Sequence, residues 1–249
     1  MTPELPFGPG IYALLAAIVT AGYFIFAITG FGAALITVPV MSHLLPLPFV
    51  LPVAVLLDVG ASLVVGTKFH RDADWKELRW MVPLSVAGAV VGVTLLVNLP
   101  REAGIAGLGV LLIAYGVYSL RQGGAFRRLH GAWAPVSGFG GGLMGTLFGI
   151  GAPPYAVYLT RRIEDKSAMR ATLSTMVLFS TGIRLTVFAF AGLVLADRLF
   201  AFALLFPFVL GGLWIGNRVH LALSRERVLA AIALLLVATG GSLLIRALV

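Results

Sequence analysis

The chain has 249 residues, 59% of them hydrophobic and only 11% charged, and its mean hydropathy is +1.01. A soluble domain of this length has too little interior to hide so much apolar surface, so the composition excludes a soluble globular protein and demands an integral membrane one. The formal charge of +8 would suggest nucleic acid in a soluble protein, but here basic residues sit at the ends of apolar segments, where they act as topology signals, and no nucleic-acid partner is expected.

Taken in chain order, Met1 to Gly10 carries no Lys or Arg, so the basic start of a cleavable signal peptide is missing and the first apolar run is expected to be retained. Runs free of Asp, Glu, Lys and Arg then extend over Leu5 to Leu57, Trp80 to Pro100, Ala103 to Leu120, Gly131 to Thr160, Leu199 to Asn217 and Val228 to Ile245. Each is near or above the ~20 residues that span a bilayer as a helix, and their continuity excludes a porin-like barrel. The first run predicts a broken hairpin over 11–45 with its break at Thr29-Gly30-Phe31-Gly32, followed by spanning helices over 49–67, 80–97 and 103–120. A second hairpin is predicted over 132–160 with its break at Gly149-Ile150-Gly151-Ala152-Pro153-Pro154, followed by helices over 171–193, 199–217 and 228–247. About 30 apolar residues separate Gly131 from Arg161, where two full crossings would need ~40, so this second hairpin is expected to be re-entrant. The first is a little longer, and a fuller crossing is open to it.

The chain repeats itself. Pro83, Gly88 and Gly92 return with the same spacing as Pro207, Gly212 and Gly216, Arg101-Glu102 returns as Arg225-Glu226, and Gly30-Phe31-Gly32-Ala33 returns at a slightly shorter offset as Gly149-Ile150-Gly151-Ala152. Fourteen of the 18 basic residues fall in the segments 68–79, 121–131, 161–170 and 218–227, which the positive-inside rule puts in the cytoplasm. The basic loop at 68–79 corresponds by repeat to the bare turn at 194–198, and the bare turn at 98–101 to the basic loop at 218–227. Equivalent loops thus fall on opposite sides. The expected fold is an all-α polytopic membrane protein of two inverted repeats, 1–124 and 125–249, with its site where the broken hairpins meet.

Non-helical backbone is tolerated in a bilayer only where protein or a wet cavity covers it. A glycine-rich break leaves amides unpaired and turns the start of the next half-helix toward them, which suits an anion. Thr29, Gly30, Phe31, Gly32, Gly149, Ile150 and Gly151 are therefore substrate-binding candidates. Gly138, Gly140, Gly141, Gly142 and Gly145, like Gly88, Gly92, Gly212 and Gly216, are read instead as close-packing positions. Asp58 and Arg184 fall near the centres of equivalent helices, one turn apart in the repeat register, and buried charges in a bilayer are costly unless paired or hydrated. Three roles stand open: a structural ion pair, Arg184 in the anion site, or Asp58 as a proton-coupling carboxylate. Ser174 and Thr175 could donate hydroxyls to a ligand or bond back to their own helix. His70, His130 and His220 read as loop residues and His43 as an interfacial one, with no metal spacing among them; no cofactor is expected. Trp75, Trp80 and Trp133 sit where interfacial belts occur. No His-Glu-x-x-His, Gly-x-Ser-x-Gly or Gly-x-Gly-Asp motif is present, so no enzymatic activity is expected.

Gly30-Phe31-Gly32, Asp74-Trp75 in the basic loop, the Pro-x4-Gly-x3-Gly helix after it, Gly149-Ile150-Gly151 and the helix carrying Ala171, Ser174 and Thr175 together resemble the TauE/SafE family over essentially the whole chain. The resemblance implies a secondary carrier in a bacterial inner membrane for small anions such as sulfite, organosulfonates or carboxylate-bearing sulfonates, with protons as an optional coupling ion. Two departures stand out: the Thr-Ser pair usual in the first-half helix is Val55-Leu56 here, beside Asp58, and Arg184 is an added base in the second half. The expected partners are thus a small anion, membrane lipids and optionally protons, with a homodimer compatible. A proton-coupled exporter of another metabolite and a non-transporting scaffold subunit are the alternatives.

Overall fold

The computed structural model describes residues 8–29, 33–65, 72–120, 129–218 and 225–248. Among these residues all regular structure is helical. In order they are α1 (Pro9–Thr29), α2 (Ala34–Met41), α3 (Leu47–Val65), α4 (Trp75–Asn98), α5 (Arg101–Leu120), α6 (Trp133–Phe148), α7 (Ala152–Thr160), α8 (Lys166–Phe190), α9 (Ala196–Arg218) and α10 (Arg225–Leu248). Six of these, α1, α3, α4, α5, α8 and α9, are long and apolar enough to cross a membrane; in α10 the apolar stretch is Ile232–Ala247.

One interruption falls where glycine predicts it, between Phe148 and Ala152, while residues 30–32 of the first expected break lie outside the described residues. The first arm α1 has 21 residues, enough to span by itself, whereas α6 has 16 and α7 has 9, too short for either to cross alone. Helices α4 and α8 begin at Trp75 and Lys166, ahead of the 80 and 171 expected from the apolar runs. Their starts are set by caps rather than by hydropathy. The Asp74 carboxylate accepts the Lys76 amide at 3.0 Å, and that of Asp165 accepts the Ala168 amide at 2.6 Å, so both helices continue past the charged residues that bound the apolar run. Pro39, Pro52, Pro83 and Pro207 all lie inside helices, as membrane helices tolerate.

The chain divides into two compact units that do not coincide with its two halves. Unit 1 takes Met1–Asp58, Leu99–Gly123 and Val194–Val249, and unit 2 takes Val59–Asn98 and Gly124–Leu193. Within unit 1, α1 packs on α9 and α5 on α10; within unit 2, α4 packs on α6 and α8, and α7 on α6 and α8. Each unit therefore joins elements of both halves of the chain. In lipid there is no hydrophobic gain from bringing helices together, so contact depends on small residues that let backbones approach. A Cβ on Gly212 would stand 2.6 Å from the Thr20 carbonyl of α1, and one on Gly216 would stand 2.8 Å from that of Phe24. The repeat-related pair does the same in unit 2: Gly88 presses on the Phe139 carbonyl of α6, and a Cβ on Gly92 would lie 2.9 Å from that of Leu143. Here the partner helix answers with glycines of its own, Gly138 against Met81 and Gly142 against Ser85. On the α5 and α10 seam, Gly109 and Gly240 face each other, each 2.8 Å from the other's carbonyl once a Cβ is added. Unit 2 also has a packed cluster of Leu78, Met81, Ala134, Tyr155, Tyr158, Leu159 and Met176.

Candidate functional site

The described part of the candidate site is the break between α6 and α7. Gly149 ends α6 with φ 78°, a left-handed conformation that glycine adopts without steric cost, and its amide returns to the Gly145 carbonyl at 3.0 Å. The Ile150 amide returns to Met144 at 3.3 Å. Two of the break's donors are thereby spent on capping α6, and Pro153 and Pro154, in the first turn of α7, have none to offer. The Gly151 and Ala152 amides, at the start of α7, take no part in this cap. This narrows the donor set that the sequence suggested, because the αL cap consumes the amides of the first two positions.

Arg184 on α8 is 5% exposed and reaches the same place. Its Cδ passes 3.4 Å from the position a Gly145 Cβ would take, and the Gly151 Cα lies 3.2 Å from that position. Any side chain at 145 would push the arginine and the break apart. Gly149, Ile150, Gly151 and Arg184 are thus brought together within unit 2.

Other expected members lie elsewhere. Ser174 is on the exposed face of α8, and the buried Thr175 donates to its own Ala171 carbonyl at 2.8 Å. Ten residues of helix, about 15 Å, separate Ser174 from Arg184. Residues 30–32 and the Thr29 side chain lie outside the described residues, so nothing further is drawn from the first break. Asp58 belongs to unit 1, where the Tyr23 hydroxyl donates to its Oδ1 at 2.7 Å. No group of three or more His, Asp or Glu that could hold a metal ion occurs among the described residues.

Two polar clusters of unit 2 went unread in the sequence. Glu77, 7% exposed at the start of α4, accepts the Tyr158 hydroxyl at 2.5 Å and the Arg162 Nε at 2.7 Å, and its carboxylate holds the Arg162 guanidinium above its ordinary range. With the Leu129 amide on the Arg161 carbonyl at 3.0 Å, this closes the base of the hairpin. In the second cluster, Tyr155 of α7 lies between Ser85 of α4 and Ser180 of α8, and the Ser137 hydroxyl donates to the Pro154 carbonyl at 3.0 Å, bracing α6 to α7. The available signal was two tyrosines, 155 and 158, on a helix too short to span: a buried Tyr hydroxyl needs a partner. Glu77 gave none, because it sits among the basic residues of a loop.

A family model described as Sulfite exporter TauE/SafE matches residues 14–243. The chain belongs to the TauE/SafE family. It is 28% identical over 193 residues to the "Probable inner membrane transporter protein TsaS" of Comamonas testosteroni, an alignment that covers 76% of this chain and 80% of that protein. No solved structure matches. This TauE/SafE protein is a multi-pass membrane transporter of the inner membrane, with six helices of spanning length and composition among the described residues.

Proposed function

We propose that this TauE/SafE protein is a secondary transporter of small oxyanions, of the class of sulfite, organosulfonates and related carboxylates, working by alternating access. The observation that carries the reading is the convergence of the buried Arg184 with the glycine break and the start of α7. A guanidinium and a few fixed amides can replace the water an oxyanion sheds on entering the bilayer. The two halves, 1–124 and 125–249, are inverted repeats, with the basic segments 68–79, 121–131, 161–170 and 218–227 in the cytoplasm. The exchange of helices between halves supports the repeat relation, since α1 on α9 and α6 on α4 are the same contact made twice.

The test is counterflow in proteoliposomes loaded with sulfite, methanesulfonate, thiosulfate or acetate. Saturable exchange of at least one oxyanion is expected; a purified, folded protein that exchanges none of them overturns the reading. A second reading, a proton-coupled exporter in which Asp58 is the coupling carboxylate, is favoured by the Tyr23 hydroxyl that donates to Asp58. It requires Asp58→Asn to abolish the pH dependence of flux while leaving counterflow intact.

A further inference from the structure

Three hydroxyl groups lie in a row inside unit 2. Ser85 Oγ on α4 is 2.8 Å from Tyr155 Oη on α7, which is 3.1 Å from Ser180 Oγ on α8. All three residues are buried, Ser85 and Tyr155 completely. Hydroxyls inside helices commonly bond back to their own backbone, and Thr172, Thr175 and Thr181 of α8 do so at 2.7, 2.8 and 2.9 Å. Ser85 and Ser180 make no such bond among the described residues; their oxygens are committed to Tyr155. Each hydroxyl supplies one proton, so three supply three. Two bonds use two, and one O–H is left to donate, at an end of the row when the two bonds run the same way and on Tyr155 when both serines donate to it.

The Ser180 end is where a ligand would meet it. Ser180 and Arg184 are four residues apart on α8, hence neighbours on one face with Cβ atoms ~5–6 Å apart. Both are buried, and Arg184 acts electrostatically on Tyr155 as well. A guanidinium has only donors and draws hydroxyl lone pairs toward itself; an oxyanion seated on it draws protons instead. Linked hydroxyls turn together, because each bond polarises the next.

We propose that Ser180, Tyr155 and Ser85 form a hydrogen-donating subsite for the anion held by Arg184, with Ser180 giving the spare proton to one oxygen of the ligand and Tyr155 and Ser85 relaying donation behind it. The subsite takes oxyanions with several acceptor oxygens, sulfite, sulfonate or carboxylate, and gives no comparable advantage to chloride, a single sphere with no separate oxygens to divide between the guanidinium and the hydroxyl. It rests on the anion-transport reading above and adds to it the source of discrimination. Tyr155 is a positioning residue here, and its ring stays packed against Gly141 when the hydroxyl is removed.

The experiment compares reconstituted wild type with Tyr155→Phe, Ser180→Ala and the back-bonded control Thr181→Val. Tyr155→Phe and Ser180→Ala are expected to raise KM for sulfite about 10- to 100-fold, as loss of a hydrogen bond to a charged group does, with the maximal rate changed little. Thr181→Val leaves both constants unchanged. Fluorotyrosine placed at 155 reads the reversal directly: its fluorine resonance shifts on adding sulfite, does not shift with chloride, and loses the response in Ser180→Ala. Wild-type flux together with an unchanged KM in both variants, or a fluorine resonance unmoved by saturating sulfite, overturns the subsite alone. Absence of flux for sulfite and methanesulfonate in the wild type overturns the transport reading and the subsite with it.

Discussion

Unit 1 and unit 2 solve the same packing problem with different polar fillings. In each, a Pro-x4-Gly-x3-Gly helix from one half of the chain lies on the leading helix of the other half, α9 on α1 in unit 1 and α4 on α6 in unit 2. In unit 2 the leading helix offers Gly142 at the contact; the position that corresponds to it by repeat in α1 is Tyr23. The hydroxyl of Tyr23 reaches Asp58, and the position matching Asp58 is Ser180, which takes its own tyrosine hydroxyl from Tyr155. Equivalent sites on α3 and α8 are thus each served by a tyrosine, but from the first arm of one hairpin and the second arm of the other. Both contacts leave no room for a side chain at the glycines, because an added Cβ would meet a carbonyl of the facing helix. The polar partners differ, since a hydroxyl comes from a different arm in each: one meets a carboxylate, the other a neutral hydroxyl four residues from an arginine.

The largest effect expected from breaking this comparison is at its charges. Arg184→Gln should lower oxyanion flux about 100-fold, the scale of a lost charge-assisted hydrogen-bonding group, whereas Arg184→Lys keeps the charge and part of the flux. If Asp58→Asn were as damaging to counterflow as Arg184→Gln, the two units would not differ in role. The glycine contacts come next. Gly88→Leu and Gly212→Leu should each destabilise the fold by about 1–3 kcal/mol through overpacking, Gly88→Leu more, because Gly142 and Gly138 press from the other side as well. Thermal unfolding in detergent measures the ranking, and equal losses would remove the distinction between a one-sided and a two-sided glycine seam.

At the base of the unit 2 hairpin, Glu77→Gln should cost about 1–2 kcal/mol, at the low end for a buried pair because the Arg162 side chain is 30% exposed and keeps some water. Unfolding midpoints of Glu77→Gln, Arg162→Gln and the double variant give the coupling, and strictly additive losses would show that the pair does not act as one. The smallest effect belongs to His43 in unit 1, in the turn between α2 and α3. Burial lowers its pKa, and the nearby Arg246 lowers it further. The folded state then takes up this proton less readily than the unfolded chain, so stability is full above the ordinary histidine value and is lost as pH falls through it toward the folded one. His43→Gln should flatten the unfolding midpoint between about pH 7 and pH 5 relative to wild type.

Much of the fold and part of the site can be read from local sequence. Residue composition determined that the chain is a membrane protein, since 59% hydrophobic residues leave no soluble solution. The Gly149 break was legible because a left-handed cap followed by two prolines is a local conformational demand, and so was Arg184, because a lone base within an apolar run must have a reason to be there. Helix starts were less legible: hydropathy marks the membrane boundary, while Asp74 and Asp165 mark the backbone boundary outside it. Ser174 and Thr175 looked like donors because of where they lie in the chain, yet the helix rotates Ser174 outward and Thr175 turns its proton back to Ala171.

Tertiary structure decided the rest. That α4 belongs with α6, and α1 with α9, follows from which carbonyl each glycine admits, a match between surfaces far apart in sequence. The row of Ser85, Tyr155 and Ser180 is likewise invisible in any one segment, since each hydroxyl taken alone could have bonded to its own helix. Only when three helices bring the oxygens to 2.8 and 3.1 Å do they become one chain with a proton to spare, because hydrogen bonding depends on distance and direction in space.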